Sequence, residues 1–161
     1  MLSGLARGGA RDVSRAGKEG AVQIVELRSE AELRKAFPVV RELHGGLDER
    51  KYAELLAEMV PGGYRMFAVR EEGEVAAVAG VQVLTNLYYE RHLYVYDLVA
   101  SAGARSKGHG AALMEHVERF ARREGCKYVA LACGRERKDA LRFYERIGFQ
   151  RPGYSMCKTL L

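Results

Sequence analysis

Leu93-Tyr94-Val95-Tyr96-Asp97-Leu98-Val99-Ala100, followed after four residues by Arg105-Ser106-Lys107-Gly108-His109-Gly110-Ala111, is the stretch whose reading decides the fold of this chain. The first eight residues are rich in β-branched, aromatic and aliphatic side chains, the composition of a strand. After the glycines, residues 111–124 carry Leu113, Val117, Phe120 and Ala121 on one helical face and Glu115, Arg119 and Arg122 on the other. A strand, a tight glycine turn and a helix bring backbone N–H groups to one point. Glycine lets the main chain approach an anion closely. The first N–H groups of a helix have no internal partner, and the helix dipole favours negative charge there. Arg105 and Lys107 add formal positive charge. The stretch reads as a cradle for a diphosphate.

Spacing separates the ligands that use such turns. A nucleotide-triphosphate loop needs Gly-x-x-x-x-Gly-Lys-Ser/Thr, but Gly110 is followed by Ala111-Ala112. A dinucleotide fingerprint needs Gly-x-Gly-x-x-Gly near the start of a βαβ unit, and Leu113 stands where the third glycine belongs. What remains is Arg-x-x-Gly-x-Gly-Ala after an Asp-Leu-Val strand. It resembles the acetyl-CoA-binding motif of the GNAT family of N-acetyltransferases. Alone, the pattern is also that of an ordinary strand–turn–helix junction.

A second stretch, Asp139-Ala140-Leu141-Arg142-Phe143-Tyr144-Glu145-Arg146-Ile147-Gly148-Phe149, separates these readings. Ala140, Phe143, Tyr144 and Ile147 share one face of a short helix. Asp139 stands where an acidic cap is favourable, and Gly148 where a left-handed residue ends a helix. The run Ala-x-x-Phe-Tyr-x-x-x-Gly-Phe is similar to the last motif of the same family. The two motifs lie in the family's order, with an apolar strand over residues 127–133 between them. The resemblance spans residues 22–161.

That resemblance implies an α/β (α+β) GNAT fold. Its central twisted sheet is mixed and mostly antiparallel, with six to seven strands flanked by about four helices. The apolar patterns run in the same order, βααβββαβαβ. The first strand lies near residues 22–28, Ser29 caps a helix that Pro38 breaks or kinks, and Asp48 opens the next helix. A hairpin turns at Glu71-Glu72-Gly73, and Phe149 opens a last strand. The continuously apolar run 127–133 reads as a central strand. Residues 21–161 form one expected domain, preceded by a Gly-, Arg- and Ala-rich extension over residues 1–20 that reads as disordered.

The implied activity is direct transfer of an acetyl group from acetyl-CoA, as co-substrate, to a primary amine of a small molecule or peptide. By resemblance, Arg105, Ser106, Lys107, Gly108, His109, Gly110 and Ala111 take the pyrophosphate. The main chain of Leu98, Val99 and Ala100 pairs with the pantetheine arm as an added strand would. Phe143 and Tyr144 close the cofactor site, and Tyr144 is the general acid that protonates the departing CoA thiolate. An asparagine often precedes the last helix in the family. Here Arg135-Glu136-Arg137-Lys138 replaces it, and Arg137 or Lys138 meets a phosphate instead. A lysine-like amine is almost wholly protonated at neutral pH, so a base or a water chain is also needed. Glu90, His92, Tyr94 and Asp97 are candidates, with no choice among them. Tyr88, Tyr89, Tyr94 and Tyr96 fit either an acceptor-pocket wall or ordinary strand packing. The alternative function is a catalytically inactive acyl-CoA-binding module, and other acyl donors such as succinyl-CoA stay open.

The composition narrows the remaining classes. A net charge of +5 suits a polyanionic cofactor and is too small and dispersed to argue for nucleic acid. No apolar run is long enough to span a membrane. Cys126, Cys133 and Cys157 contain no Cys-x-x-Cys pair, and His44, His92, His109 and His116 lack metal spacing, so neither a disulfide framework nor a metal site is expected. A cytoplasmic enzyme, in the family's manner a possible homodimer, is the resulting expectation.

Overall fold

A computed structural model describes residues 23–160. The expected extension over residues 1–20 lies outside the described residues. The elements in order are β1 (Gln23–Leu27), α1 (Glu30–Lys35), α2 (Phe37–Leu43), α3 (Glu49–Met59), β2 (Tyr64–Glu71), β3 (Glu74–Asn86), β4 (Glu90–Ala100), α4 (His109–Arg123), β5 (Tyr128–Leu131) and α5 (Lys138–Arg146). A short 3-10 turn over Ala102–Ala104 joins β4 to the cradle.

Local chemistry sets the helix boundaries. The Ser29 hydroxyl accepts from the Glu32 N–H while the Glu32 carboxylate accepts from the Ser29 N–H, a reciprocal capping box at α1. Pro38 sits in the first turn of α2, where its missing N–H costs nothing, and so splits the expected single helix in two. Asp48 caps α3 through the Lys51 N–H. At α5 the cap is Arg137, without a side-chain bond; Asp139 lies one step inside the helix and pairs with Arg142 instead of capping.

The sheet runs β1-β2-β3-β4-β5, antiparallel except for the parallel β4–β5 pair. Glu72 and Gly73, with φ of 50° and 88°, make the two-residue turn between β2 and β3, whose twist matches that of the flanking strands. On one face, Leu113, Met114, Val117, Phe120 and Ala121 of α4 pack on Phe67, Val69, Ala79, Val81, Leu93 and Val95. Burying each large side chain of this set contributes about 1.5–3 kcal/mol. The other face is covered by α1–α3 through Leu33, Val39, Val40, Tyr52 and Leu56 against Leu27, Tyr64, Met66, Ala68 and Val78.

Three expectations need correction. The sheet has five strands among the described residues, not six or seven, and five helices flank it. No strand opens at Phe149: this residue packs against the core, but Pro152-Gly153 interrupts the chain soon after it, and residues 150–160 are exposed coil. In consequence β5 is an edge strand of four half-buried or exposed residues rather than a central one. Its apolar run reflects contact on one face, not burial on two.

Candidate active site

Two irregularities in β4 build the site. The first is a splay. β4 and β5 pair only from His92–Tyr128 to Val95–Leu131. Beyond that point β4 runs on to Ala100, held by β3 alone, while β5 ends at Leu131. The edge of residues 96–100, including Leu98, Val99 and Ala100, therefore offers main-chain groups to a ligand lying in the gap, as an unpaired sheet edge does. The second is a bulge. Gly80 pairs with Asp97 and Val81 with Val95, so Tyr96 has no partner across the β3–β4 ladder. The bulge re-aims the residues on either side of it.

The cradle stands at the open end of the splay. Ser106 and Gly108 have left-handed backbones, φ 65° and 82°, and Gly108 is the N-cap of α4. The first bond into the helix is donated by the Ala112 N–H to the Gly108 carbonyl. Among the described residues, no backbone carbonyl accepts from the N–H groups of residues 105–111. A row of free amides at a helix N-terminus with αL turns is an anion-binding arrangement.

The cradle's side chains are already engaged. Arg105 pairs with Glu42 at 2.8 Å, and the other Glu42 oxygen accepts from the Ala102 N–H at 3.0 Å. Lys107 pairs with Glu71 at 2.9 Å, and the buried imidazole of His109 reaches the second Glu71 oxygen, also at 2.9 Å. The Lys107 bond, more than the His109 bond, holds the Glu71 carboxyl below the ordinary carboxylate range. The buried His109 ring bonds Glu71 through Nε2, and among the described residues its Nδ1 has no hydrogen-bond partner.

Helix α5 meets this corner. A Cβ built on Gly110 would lie 3.6 Å from the Phe143 ring, so Phe143 seats on the first turn of α4. Tyr144 is next in the chain, packed edge-on against Phe143 and Phe149 at centroid distances of 5.3 and 5.6 Å. Burial pushes the Tyr144 phenol up to about 12, with the Cys133 thiol adding to the rise and Arg137 opposing it. The phenol stays protonated at any physiological pH, the state an acid requires. Arg137 is exposed at the N-cap of α5.

The four base candidates separate. Glu90 is exposed and paired with Lys127 at 2.5 Å, and His92 is buried with Nδ1 3.0 Å from the Glu90 carbonyl. At about 3.3 Å of rise per residue, His92 lies roughly 20 Å along the strand from Leu98. Tyr94 packs at a tilt of 60° against Tyr96, with ring centroids 4.9 Å apart. Asp97 alone adjoins the splay. Its Oδ1 contacts His44 Nε2 at 2.6 Å and its Oδ2 accepts from the Tyr64 hydroxyl at 2.9 Å. Burial first, and the Asp97 charge second, push the Tyr64 phenol well above the ordinary tyrosine value.

Sequence reasoning does not reach Glu42, Tyr64 or Glu71, and it assigns His44 no role. The partners are far apart in the chain, 53 residues in the case of His44 and Asp97. One local signal exists: Gly80, a glycine inside an apolar strand, where a close approach is the usual cause. The tyrosines divide into two groups. Tyr88, Tyr89 and Tyr128 cluster at the β3–β4 hairpin, whereas Tyr94, Tyr96 and Tyr64 form a line ending at Asp97. Among the described residues no group of three His, Cys, Asp or Glu side chains is placed to hold a metal. No described helix is long and apolar enough to cross a membrane.

Comparison with known proteins agrees with this geometry. Residues 27–149 match the model of the acetyltransferase (GNAT) family. The uncharacterized N-acetyltransferase YhdJ of Bacillus subtilis is 33% identical over 141 residues, covering 86% of this chain and 99% of that protein. Streptothricin acetyltransferase of Streptomyces lavendulae is 32% identical over 82 residues, covering 51% of this chain and 42% of that one. Among solved structures, aminoglycoside N-acetyltransferase AAC(6')-Iy in complex with CoA superposes with a TM-score of 0.78 at 13% identity, over 89% of this chain and 98% of that one. The splayed strands, the amide-lined turn and the family match together make this chain a member of the GNAT acetyltransferase family, an acetyl-CoA-dependent N-acetyltransferase.

Proposed function

We propose that this chain acetylates a primary amine of a small molecule or peptide with the cofactor laid along the β4 edge. The observation that supports the assignment is the seating of Phe143 on Gly110, which packs α5 against the first turn of α4; in this reading Tyr144, next in the chain, faces the thioester. In this reading the N–H groups of Arg105, Ser106, Lys107, Gly108, His109, Gly110 and Ala111 receive the diphosphate. Each charge-assisted bond contributes about 1.5–3 kcal/mol. Leu98, Val99 and Ala100 hold the pantetheine arm by main-chain bonds, and one of their N–H groups polarises the thioester carbonyl. Arg137 approaches a phosphate from the N-cap of α5.

The amine attacks the carbonyl carbon, the C–S bond breaks, and Tyr144 gives its proton to the thiolate. A phenol near 12 is a weaker acid than the thiol it forms, so the transfer draws its driving force from the collapse of the intermediate. The phenolate then recovers a proton from the new amide nitrogen. The test is Tyr144→Phe, read by CoA release and by CoA affinity. A loss of turnover of about 10²-fold with affinity within about threefold is expected. Unchanged turnover at every pH would remove Tyr144 from the mechanism.

Compartment and assembly complete the proposal. Cys126, Cys133 and Cys157 are free thiols, which suits a reducing compartment such as the cytoplasm. The open edge of β5, with Tyr128 exposed beside it, is the surface where two copies would pair, and sedimentation of the Tyr128→Lys variant against the parent tests that homodimer.

A further inference from the structure

We propose that His44, oriented by Asp97, is the general base that takes a proton from the incoming ammonium. The assignment rests on the acetyl-transfer reading above and adds the step that reading lacks.

Three observations carry it. The first is the contrast of exposure within the pair: 47% of the His44 side chain is accessible against 11% of the Asp97 side chain. A buried carboxylate at 2.6 Å from Nε2 accepts the Nε2–H, which leaves Nδ1 as the unprotonated, acceptor nitrogen. The carboxylate also stabilises the imidazolium once the proton arrives. The second is place. Asp97 sits at the bulge, adjacent to Leu98 at the head of the splay. His44 terminates α2, and Glu42 two residues earlier already binds Ala102 and Arg105 of the cradle approach. The end of α2 therefore runs beside the β4 edge from the cradle to the bulge. The third is preorganisation. Tyr64 fills the second oxygen of Asp97, and Gly80 leaves room for both: a Cβ there would come within 2.6 Å of Asp97 Oδ2 and closer still to the Tyr64 hydroxyl. Such a crowded arrangement restricts the carboxylate to one orientation, and thereby the ring it binds.

The protons balance. Nδ1 of His44 takes one proton from R–NH3+, giving a neutral amine and an imidazolium. The amine nitrogen bonds to the acetyl carbon, the C–S electron pair leaves with sulfur, and the thiolate is protonated by Tyr144. Tyr144 recovers its proton from the amide nitrogen, and His44 releases its own to water. The sum is an amide, CoA thiol and one proton. Exposed Tyr96 and half-buried Tyr94 give the approaching cation aromatic faces on the way to His44.

The groups facing His44 from neighbouring elements are Asp97 on β4 and, through that carboxylate, Tyr64 on β2 and Tyr52 on α3. Burial raises both phenols, so each keeps its proton near neutral pH and Asp97 is the carboxylate that His44 meets.

The test compares two nucleophiles at high concentration with acetyl-CoA: n-butylamine, which is an ammonium at pH 7, and O-methylhydroxylamine, which is neutral. His44→Gln keeps a donor toward Asp97 and removes the base. The expected result is a loss of about 10²-fold or more in kcat/KM for n-butylamine and less than about threefold for O-methylhydroxylamine. The rate with n-butylamine should then rise with hydroxide through pH 9 instead of reaching a plateau. Tyr144→Phe, by contrast, should slow both nucleophiles, so failure of the acid and failure of the base are distinguishable. Asp97→Asn, a positioning change, should give the same nucleophile-dependent split as His44→Gln. Equal losses for the two nucleophiles in His44→Gln would overturn the assignment. If the parent chain acetylates neither probe, nitrogen-15 NMR of the histidines in the full chain decides. The Nε2–H tautomer for neutral His44, scrambled by Asp97→Asn, supports the base; the Nδ1–H tautomer overturns it.

Discussion

The two ends of the β4 segment that faces the splay work by opposite means. At the bulge, the proposed proton transfer rests on side chains: His44, Asp97 and Tyr64 are joined by bonds of 2.6 and 2.9 Å, and Gly80 is crowded on both sides. At the cradle, the proposed grip on a diphosphate rests on the main chain. Among the described residues no backbone carbonyl accepts from the amides of residues 105–111, and a Cβ at Gly108 would meet nothing within 4 Å. The side chains there are tied into surface ion pairs with Glu42 and Glu71. A buried polar network cannot lose a member without leaving a charge or donor unpaired, whereas an amide row tolerates most side chains provided the backbone keeps its turn. The bulge end should therefore be fragile in stability, and the cradle end fragile in affinity.

Gly80→Ala against Gly110→Ala is the widest test of this difference. At Gly80 the added methyl collides with the Tyr64 hydroxyl and the Asp97 carboxylate, neither of which is free to yield. A cost of about 3 kcal/mol is expected, with a fall in Tm of roughly 10 °C. At Gly110 the same methyl meets the Phe143 ring at 3.6 Å, an ordinary contact, so stability should change by less than about 0.5 kcal/mol. Thermal melts of the two variants check this. Equal melting temperatures would erase the contrast.

Tyr64→Phe sharpens the same comparison by deleting a single oxygen. Asp97 Oδ2 loses the donor it has at 2.9 Å while remaining buried. The expected cost is about 1–3 kcal/mol in urea unfolding. At the other end, Arg105→Ala deletes a whole charged side chain from the pair with Glu42, yet both partners are substantially solvated, and the expected stability change is under about 1 kcal/mol.

The same contrast governs what is legible in the sequence. The cradle is readable because backbone chemistry leaves local marks: Gly108 is required at φ 82°, Gly148 at φ 97°, and the apolar face of α4 recurs with the helical period. The bulge network is not, because His44, Tyr64 and Asp97 come from three elements and no local spacing links them. Only Gly80 hints at a close approach. The strand count exceeds the observed one for a related reason. Phe149 has the composition of a strand opening and does reach the core, but strand formation needs a partner along several residues, and Pro152-Gly153 removes it. The side chains of Arg105 and Lys107 read in the sequence as cationic help for a diphosphate, and in the free protein carboxylates hold both.

Those carboxylates give a smaller prediction at the cradle end. Before Lys107 can face a phosphate, it must leave Glu71, and Arg105 must leave Glu42. Glu71→Gln removes one competitor and one negative charge from the approach. CoA should bind about two- to fivefold tighter by calorimetry at low salt, in keeping with a surface pair of under about 1 kcal/mol, and the gain should shrink as salt is added. Glu42→Gln should gain less, because its carboxylate also accepts from the Ala102 N–H and so supports the turn leading into the cradle. Weaker CoA binding in Glu71→Gln would mean that Glu71 positions Lys107 and His109 for the ligand rather than competing with it.

Alkaline stability gives the smallest effect and bears on the third element of the site. The Tyr144 phenol lies at about 12 in the folded chain, against about 10 for a free tyrosine. Below pH 10 both states keep the proton, so the burial of the neutral phenol contributes in full. Between about pH 10 and 12 the unfolded chain loses the proton while the folded chain retains it. The unfolded state then binds fewer protons, and unfolding free energy falls as pH rises. Tyr64, raised by deeper burial, acts in the same direction. The parent chain should therefore lose stability steadily above pH 10. Because Tyr144 is only partly buried, its share is a fraction of the limiting slope of about 1.4 kcal/mol per pH unit. Tyr144→Phe should flatten the fall without abolishing it, and Tyr64→Phe should flatten it more, though from a lower starting stability. Urea unfolding at pH 9, 10 and 11 separates the two. If Tyr144→Phe leaves the alkaline slope unchanged, its ring is not packed between Phe143 and Phe149 in solution, and the proposed acid loses its support.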